Sequence, residues 1–327
     1  MNPDQIKPLM VVMAALTRRR PEMLSTLIGS LGQMNLPENT SVSFLIVEND
    51  DAAHCEQQVL SYGTLPNGGK LDYVHEPDLG IPVARNRAAK EAIARGADLL
   101  AFVDDDEIVA QDWLVEMIKT YRNNDAVLLG GPMRLQSPEP EFNLLERMMH
   151  ANLVDTLAER EVLNAQKMDE GKGNQLDIFT GNWLGETRIF SEIGLWFDEN
   201  MRFTGGTDSK FSTELKAKGH TVGWAKNAYA YEAYPRERLS FSYQHQRAKG
   251  QYNNLFHQRM KERPLSRYSL ILRIPRKAIE ILFLAISVPL TRGKTLLKLA
   301  KRIGWVTGRV AAAFGVRSTL YTNITGG

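Results

Sequence analysis

The stretch FVDDDEIVAQDW, residues 102–113, sets Asp104, Asp105, Asp106 and Glu107 directly after an apolar run. Four adjacent carboxylates repel one another, so something must offset them: water around a turn, a helix N-terminus or a cation. Hard divalent ions such as Mg²⁺ and Mn²⁺ take carboxylate oxygens, keep several waters and share their site with substrate phosphates. Asp104 and Asp106, one residue apart, suit that chemistry, although an Asp-rich triplet alone reads equally as a solvated turn or a helix cap. Two further polar clusters follow apolar runs. Thr17-Arg18-Arg19-Arg20 comes after LMVVMA at 9–14, and Glu48-Asn49-Asp50 after VSFLIV at 42–47.

Those apolar runs read as buried strands, and helical patterns separate them. Pro21 suits a helix start, and Leu24, Leu27, Ile28 and Leu31 recur at i, i+3, i+4 and i+7. Residues 71–74 form a third strand, 82–95 a helix capped by Gly96, and 99–103 a fourth strand. This alternation predicts an α/β fold, with a mostly parallel central sheet covered by helices on both faces. Ligands of such sheets bind beyond the carboxyl ends of the strands, where all three polar clusters fall. Neither GxGxxG after the first strand nor GxxxxGK[ST] occurs, which disfavours a dinucleotide fold and a P-loop.

With 327 residues, 43% hydrophobic and 24% charged, the chain can bury a large core, and its composition is that of a globular protein and argues against global disorder. A single cysteine, Cys55, leaves no intramolecular disulfide or CxxC metal site and fits a reducing cytoplasm. Asp4 and a short apolar run argue against a signal peptide. The net charge of +2 hides a split: from Arg259 onward, 14 Lys/Arg face two acids, so the tail carries +12 and the first 258 residues −10. Within the tail, Leu296, Leu299, Ala300, Ile303, Val306, Val310 and Phe314 fall on one helical face. Lys294, Lys298, Lys301, Arg302 and Arg309 fall on the other. A basic amphipathic helix of this kind can lie on an anionic membrane surface or pack on protein, and Trp305, on the polar side, suits neither. No run of 18 apolar residues offers a membrane span.

As an ordered set, ALTRRRPEML, FLIVENDD, DLGIPVARNRAAKEA, LLAFVDDDEIVAQDWLVEMI, FTGNWLGETRIFSEIG and FTGGTDSKFSTELKAKG resemble family-2 glycosyltransferases with the GT-A fold. EAYPRERLSFSYQHQRAKGQ looks closest to the non-processive branch that builds bacterial surface polysaccharides, succinoglycan-type transferases among them. The resemblance implies a metal-dependent, inverting transfer of one sugar from a nucleotide diphosphate sugar, with a UDP-sugar the expected donor, to a polyprenyl-diphosphate-linked saccharide. Asp104 and Asp106 would form the DxD motif, with Asp106 the direct ligand of Mn²⁺ or Mg²⁺ and Asp105 facing the sugar or ribose. Glu48 and Asn49 would hold the base, Glu48 standing where the family has Asp. Thr17 and Arg20 would line the same pocket, Arg85 would grip the diphosphate or pair with the acidic triplet, and Asn86 would orient that network or cap its helix. Asp208 would be the general base, with Thr207 in place of the family's Glu. Asn182, Trp183 and Glu232 would frame donor sugar and acceptor, and His245 would be an additional metal ligand. Trp183 and His245 also read as structural residues, and Glu107 as a first-turn helix residue.

The expected organisation is a glycosyltransferase domain over 1–258, with a nucleotide-binding half at about 8–131 and an acceptor half at about 132–258. A basic tail at 259–327 would associate with the membrane, placing the enzyme at the cytoplasmic face. Gln244-His245-Gln246-Arg247 is followed by Ala248, so the Gln-x-x-Arg-Trp element of processive synthases is missing. No nucleic-acid module is recognisable. A non-catalytic scaffold subunit of a polysaccharide assembly complex is the alternative, suggested by Glu48 and Thr207. An aspartate-nucleophile phosphatase would need Gly-Thr after the second Asp, which is absent.

Overall fold

The computed structural model of the chain describes residues 8–202, 205–262 and 268–317. Its elements run β1 (Leu9–Thr17), α1 (Pro21–Gln33), β2 (Thr40–Glu48), α2 (Glu56–Tyr62), β3 (Lys70–His75), α3 (Ile81–Ala94), β4 (Leu99–Asp104) and β5 (Glu107–Val109). Then follow α4 (Trp113–Arg122), β6 (Leu128–Gly130), β7 (Met133–Leu135), α5 (Leu144–Asp169), β8 (Asn182–Glu186), α6 (Arg188–Ser191) and α7 (Thr207–Ala217). The chain ends with β9 (Val222–Trp224), β10 (Ala230–Glu232), α8 (Phe241–Glu262), α9 (Tyr268–Leu290) and α10 (Leu296–Ala313).

The central sheet has seven strands in the order β3-β2-β1-β4-β8-β6-β9. β3, β2, β1 and β4 are mutually parallel, and β8 runs antiparallel to both its neighbours. Because side chains alternate across a strand, β1 sends Val11, Met13 and Ala15 to one layer and Val12 and Ala14 to the other. The first layer is closed by Leu24, Leu27, Ile28 and Leu31 of α1 and by Trp113, Leu114 and Met117 of α4. The second is closed by four alanines of α3 and by a ring cluster of Phe102, Trp183, Phe190, Phe197 and Phe211. Both faces are covered, as the continuous apolar strands require.

Two organisational expectations change. β8 lies between β4 and β6, so the two proposed halves interleave in one sheet. The boundary at residue 258 falls inside α8, and the tail is packed rather than appended. α10 buries Leu297, Ala300, Gly304, Trp305, Gly308 and Ala312, a stripe different from the expected apolar face. Small residues make the approach to α8 possible, since a Cβ on Gly304 would lie 2.6 Å from Ala248 Cβ. Trp305 packs in a cluster with Phe256 and Ala312, and Arg309 lies 4.3 Å over its ring. The former anomaly on the polar side is therefore a core residue. Among the described residues, no helix is long and apolar enough to cross a membrane.

Candidate active site

Strand register brings the polar clusters to one edge. β1 pairs with β2 so that Thr17 stands beside Glu48, and with β4 so that Leu16 stands beside Asp104. After Asp104 the chain turns and enters β5, in a separate three-stranded sheet of order β5-β10-β7. There Glu107 pairs directly with Glu232 across antiparallel strands. Glu107 is therefore a strand residue and not the first turn of a helix: a two-residue turn leads back into extended backbone before α4 begins.

The triplet divides its labour. Asp105 is buried, and its two oxygens accept from Thr17 Oγ1 at 2.9 Å and Arg20 Nη1 at 2.8 Å. It therefore ties β1 to β4 instead of facing open space. Asp106 is approached by Arg20 Nη1 at 3.5 Å and accepts from Arg238 Nη1 at 3.2 Å. Asp104, Asp106 and Glu107 have carboxylate oxygens within 4.8 Å of one another and could hold a metal ion. The fit to a hard divalent ion rests on that all-oxygen donor set and on its cradle. Gly181 lies directly behind it, where a Cβ would collide with Glu107 Oε1 and come within 3.1 Å of Asp104 Oδ2.

The electrostatics follow from burying like charges together. Burial pushes the Asp104 carboxyl up to about 7; Asp106, Asp105 and Asp208 add to this while Arg85 opposes it. Burial raises Glu107 well above its usual range, with Asp104 and Asp106 adding. Glu232 is likewise pushed up to about 7 by burial and Asp106, against Arg247 and Arg238. Like charges facing each other across a ladder are unfavourable. Arg238, buried between Asp106 and Glu232 (Oε1 at 3.4 Å), offsets that repulsion. Arg238 had no periodicity to mark it in the sequence; its only sign was a cation six residues after Glu232.

On the opposite wall, Gly206 in a left-handed conformation (φ 83°) starts α7, so Thr207 and Asp208 occupy its first turn. Arg85 Nη1 donates to Thr207 Oγ1 at 2.9 Å, and the Arg85 guanidinium lies 5.4 Å over the Phe197 ring. The hydroxyl of Thr207 thus keeps a contact to Arg85. Arg85 acts on Asp104 through space. Asn86 does not cap its helix: it donates to Phe197 O and Glu199 Oε1 and accepts from Phe197 N, pinning the loop before α7.

Several expected contacts turn out to be spent on the fold. Glu48 is fully buried and accepts from the backbone N–H groups of His54 and Cys55 and from the Tyr73 hydroxyl at 2.6 Å. Asn49 donates to Glu76 O and Asp78 O and accepts from Gly80 N, shaping the loop into α3. The acid between the arginines is Asp50: despite burial, hydrogen bonds from Arg19 and Arg18 hold its carboxyl at about 2. Asn182 accepts from Trp113 Nε1 and donates to Pro132 O and Ala228 O, a structural knot. Trp183 is 1% exposed within the ring cluster, 5.2 Å from Phe102, and is core rather than a platform for sugar. His245 pairs with Thr307 Oγ1 at 3.1 Å, joining α8 to α10. It belongs to neither acidic group capable of holding a metal among the described residues, the second being Asp50, Asp51 and His54.

The family model for glycosyl transferase family 2 matches residues 11–194. The chain is 30% identical over 229 residues to the succinoglycan biosynthesis protein ExoM of Rhizobium meliloti (strain 1021), covering 69% of this chain and 68% of that one. Among solved structures, mannosyltransferase PcManGT from Pyrobaculum calidifontis, in complex with GDP-Man and Mn²⁺, superposes with a TM-score of 0.62 at 14% identity, covering 95% and 88% of the two chains. GalNAc-T7 with UDP, GalNAc and Mn²⁺ gives 0.52 at 13% identity, over 76% of this chain and 47% of its own. The architecture is that of the GT-A glycosyltransferases.

Proposed function

Because the chain belongs to glycosyl transferase family 2, we propose that it transfers one sugar from a nucleotide diphosphate sugar to a lipid-linked saccharide, with inversion. The observation that carries this reading is the convergence of Asp104, Asp106 and Glu107 with Arg20, Arg85 and Arg238 at the carboxyl end of β4, opposite Asp208. ExoM, by its name a succinoglycan biosynthesis protein, supports a role in surface polysaccharide assembly.

In the proposed reaction the anomeric carbon loses its bond to the diphosphate oxygen as an acceptor hydroxyl attacks from the opposite side. Asp208, in the first turn of α7, takes the proton of that hydroxyl. Arg85 and Arg20 meet the charge left on the diphosphate, a task suited to forked guanidinium donors. Glu232 and Arg238 line the acceptor side. Asp104, Asp106 and Glu107 would hold Mn²⁺ or Mg²⁺, which supplies charge neutralisation at the leaving group. UDP as the nucleotide and a polyprenyl diphosphate as the acceptor's carrier belong to this proposal, as does a peripheral position on the inner face of the cell membrane.

A screen of nucleotide sugars by thermal shift, with and without Mn²⁺, followed by turnover of the hits, tests the reading. Metal-dependent stabilisation by one donor and its slow hydrolysis are expected. A protein that neither binds nor turns over any nucleotide sugar in the presence of metal overturns it. The second reading, a non-catalytic subunit, draws on Glu48 and Asn49 being spent on loops rather than left for a nucleotide base. Binding without hydrolysis or transfer would select it.

A further inference from the structure

The tail helix expected to meet the membrane, α10, is occupied by α8, and the helix packed on its outer side carries a face left open among the described residues. In α9, Ile279, Leu282, Phe283, Ile286 and Leu290 are 55–79% exposed. At about 100° per residue these five fall within a single arc of roughly 100°, extending for about 17 Å along the helix. The opposite side of α9 faces α10. There the carboxylate of Glu280, the one acid of α9 and α10, is held by Lys277 at 2.7 Å and by Arg302 of α10. The apolar strip is bracketed by exposed cations, Arg273 and Arg276 before it and Arg292 and Lys294 after it.

We propose that the outward face of α9 is a docking surface for an anionic lipid bilayer. Its apolar strip would be buried at the acyl boundary and its bracketing cations set among phosphate headgroups. Charge complementarity selects this occupant. With Glu280 neutralised from the α10 side, the outward face is apolar and positive, the composition of helices that lie in a membrane interface. α10 serves as its mount, fixed to the catalytic body through α8. The inference rests on the proposed function only for its purpose, which is to hold the enzyme where a lipid-linked acceptor resides.

Co-sedimentation of the full-length protein with vesicles tests it, without donor or acceptor. Wild type should sediment with vesicles of phosphatidylglycerol and phosphatidylcholine in equal parts, and at least about tenfold less with phosphatidylcholine alone or in high salt. Phe283→Glu with Ile286→Glu should lower sedimentation by about tenfold or more, with an unchanged melting temperature, since both side chains are exposed. Arg276→Glu with Lys294→Glu should remove the preference for the anionic vesicles. Failure of wild type to sediment, or sedimentation of the apolar-face variant like wild type, overturns the proposal. So does a dimer in solution that this variant dissolves, which would make the face a self-association surface. Donor binding by the same samples keeps the two readings apart. Lost vesicle binding with donor binding intact defeats only the docking surface, whereas absent donor binding in wild type defeats only the catalytic reading.

Discussion

The carboxylate floor at the end of β4 and the helical layer of α8, α9 and α10 both concentrate charge of one sign, and they tolerate it in opposite ways. The floor buries Asp105, Asp106 and Glu107 and half-buries Asp104 and Glu232, so its carboxyls rise toward neutral pH or must be met by Arg20, Arg238 or a cation. The layer leaves Arg273, Arg276, Arg292, Lys294 and Lys298 exposed and packs through glycine and alanine, with Arg309 buried against Trp305. Buried charge demands a partner and so marks a site, whereas exposed charge marks a surface. The same excess of one sign thus reads differently according to where the backbone puts it.

The sharpest way to break that contrast is to remove chemistry from the wall opposite the floor, leaving the floor's own pairing with Arg238 in place. Asp208→Asn should lower turnover by about 10²–10⁴-fold, with donor-induced thermal stabilisation retained; steady-state kinetics beside a binding isotherm check this. An equal loss of binding would make Asp208 a donor contact rather than a base.

Next in size is Arg238→Met. It leaves Asp106 and Glu232 facing each other without their shared guanidinium, and a cost of about 3–5 kcal/mol is expected. Denaturant unfolding measures it, and Mn²⁺ should recover part of the loss in the variant. If the variant is as stable as wild type without metal, Arg238 does not carry the floor.

In the helical layer, Gly308→Ala places a methyl against the Lys249 carbonyl of α8. A loss of about 1–3 kcal/mol is expected from overpacking, read as a lower melting temperature with donor binding intact. A neutral result would mean that α10 is only loosely held on α8.

The smallest effect separates the regions by pH. Glu232 and Asp104 titrate near 7 in the fold, against about 4 in an unfolded chain. Between these values the folded state binds more protons, so their contribution is full below about pH 4 and is lost as pH rises through 7. Asp50, held at about 2, contributes the other way: its stabilisation is present above about pH 4 and fades toward 2. Metal-free protein should therefore lose on the order of 1 kcal/mol per pH unit for each of Glu232 and Asp104 between about pH 5 and 7, and Mn²⁺ should flatten that slope. Urea unfolding across pH, with a chelator and with metal, reads both. A flat metal-free profile would show that the floor is better solvated than its burial implies.

Much of the first half was legible because its signals are local. Continuous apolar runs and the i, i+3, i+4 spacing of Leu24, Leu27, Ile28 and Leu31 mark β1, α1, β2 and β4, and the order of polar clusters points to a glycosyltransferase site. The strand position of Glu107 is not legible in the sequence, because a two-residue turn followed by a three-residue strand has too few residues to show a period. That Glu48 and Asn49 hydrogen-bond to loops at 54–55 and 76–80 is not legible in the sequence, because those loops fold back only in the tertiary structure.

The tail shows the same division. Its basic amphipathic character was readable, since charge and period are properties of the chain itself. Which stripe meets solvent was decided by the tertiary structure. The close approach of Gly304 and Gly308 to α8 buries one side of α10 and leaves the apolar strip to α9. By itself the sequence determined the sheet-forming core and the acidic motif after β4, which follow from residues within a few positions of one another, and the family, which follows from the order of such motifs along the chain. Only the tertiary structure decided that Glu107, Glu232 and Arg238 complete that motif, because strand pairing across more than a hundred residues sets them side by side.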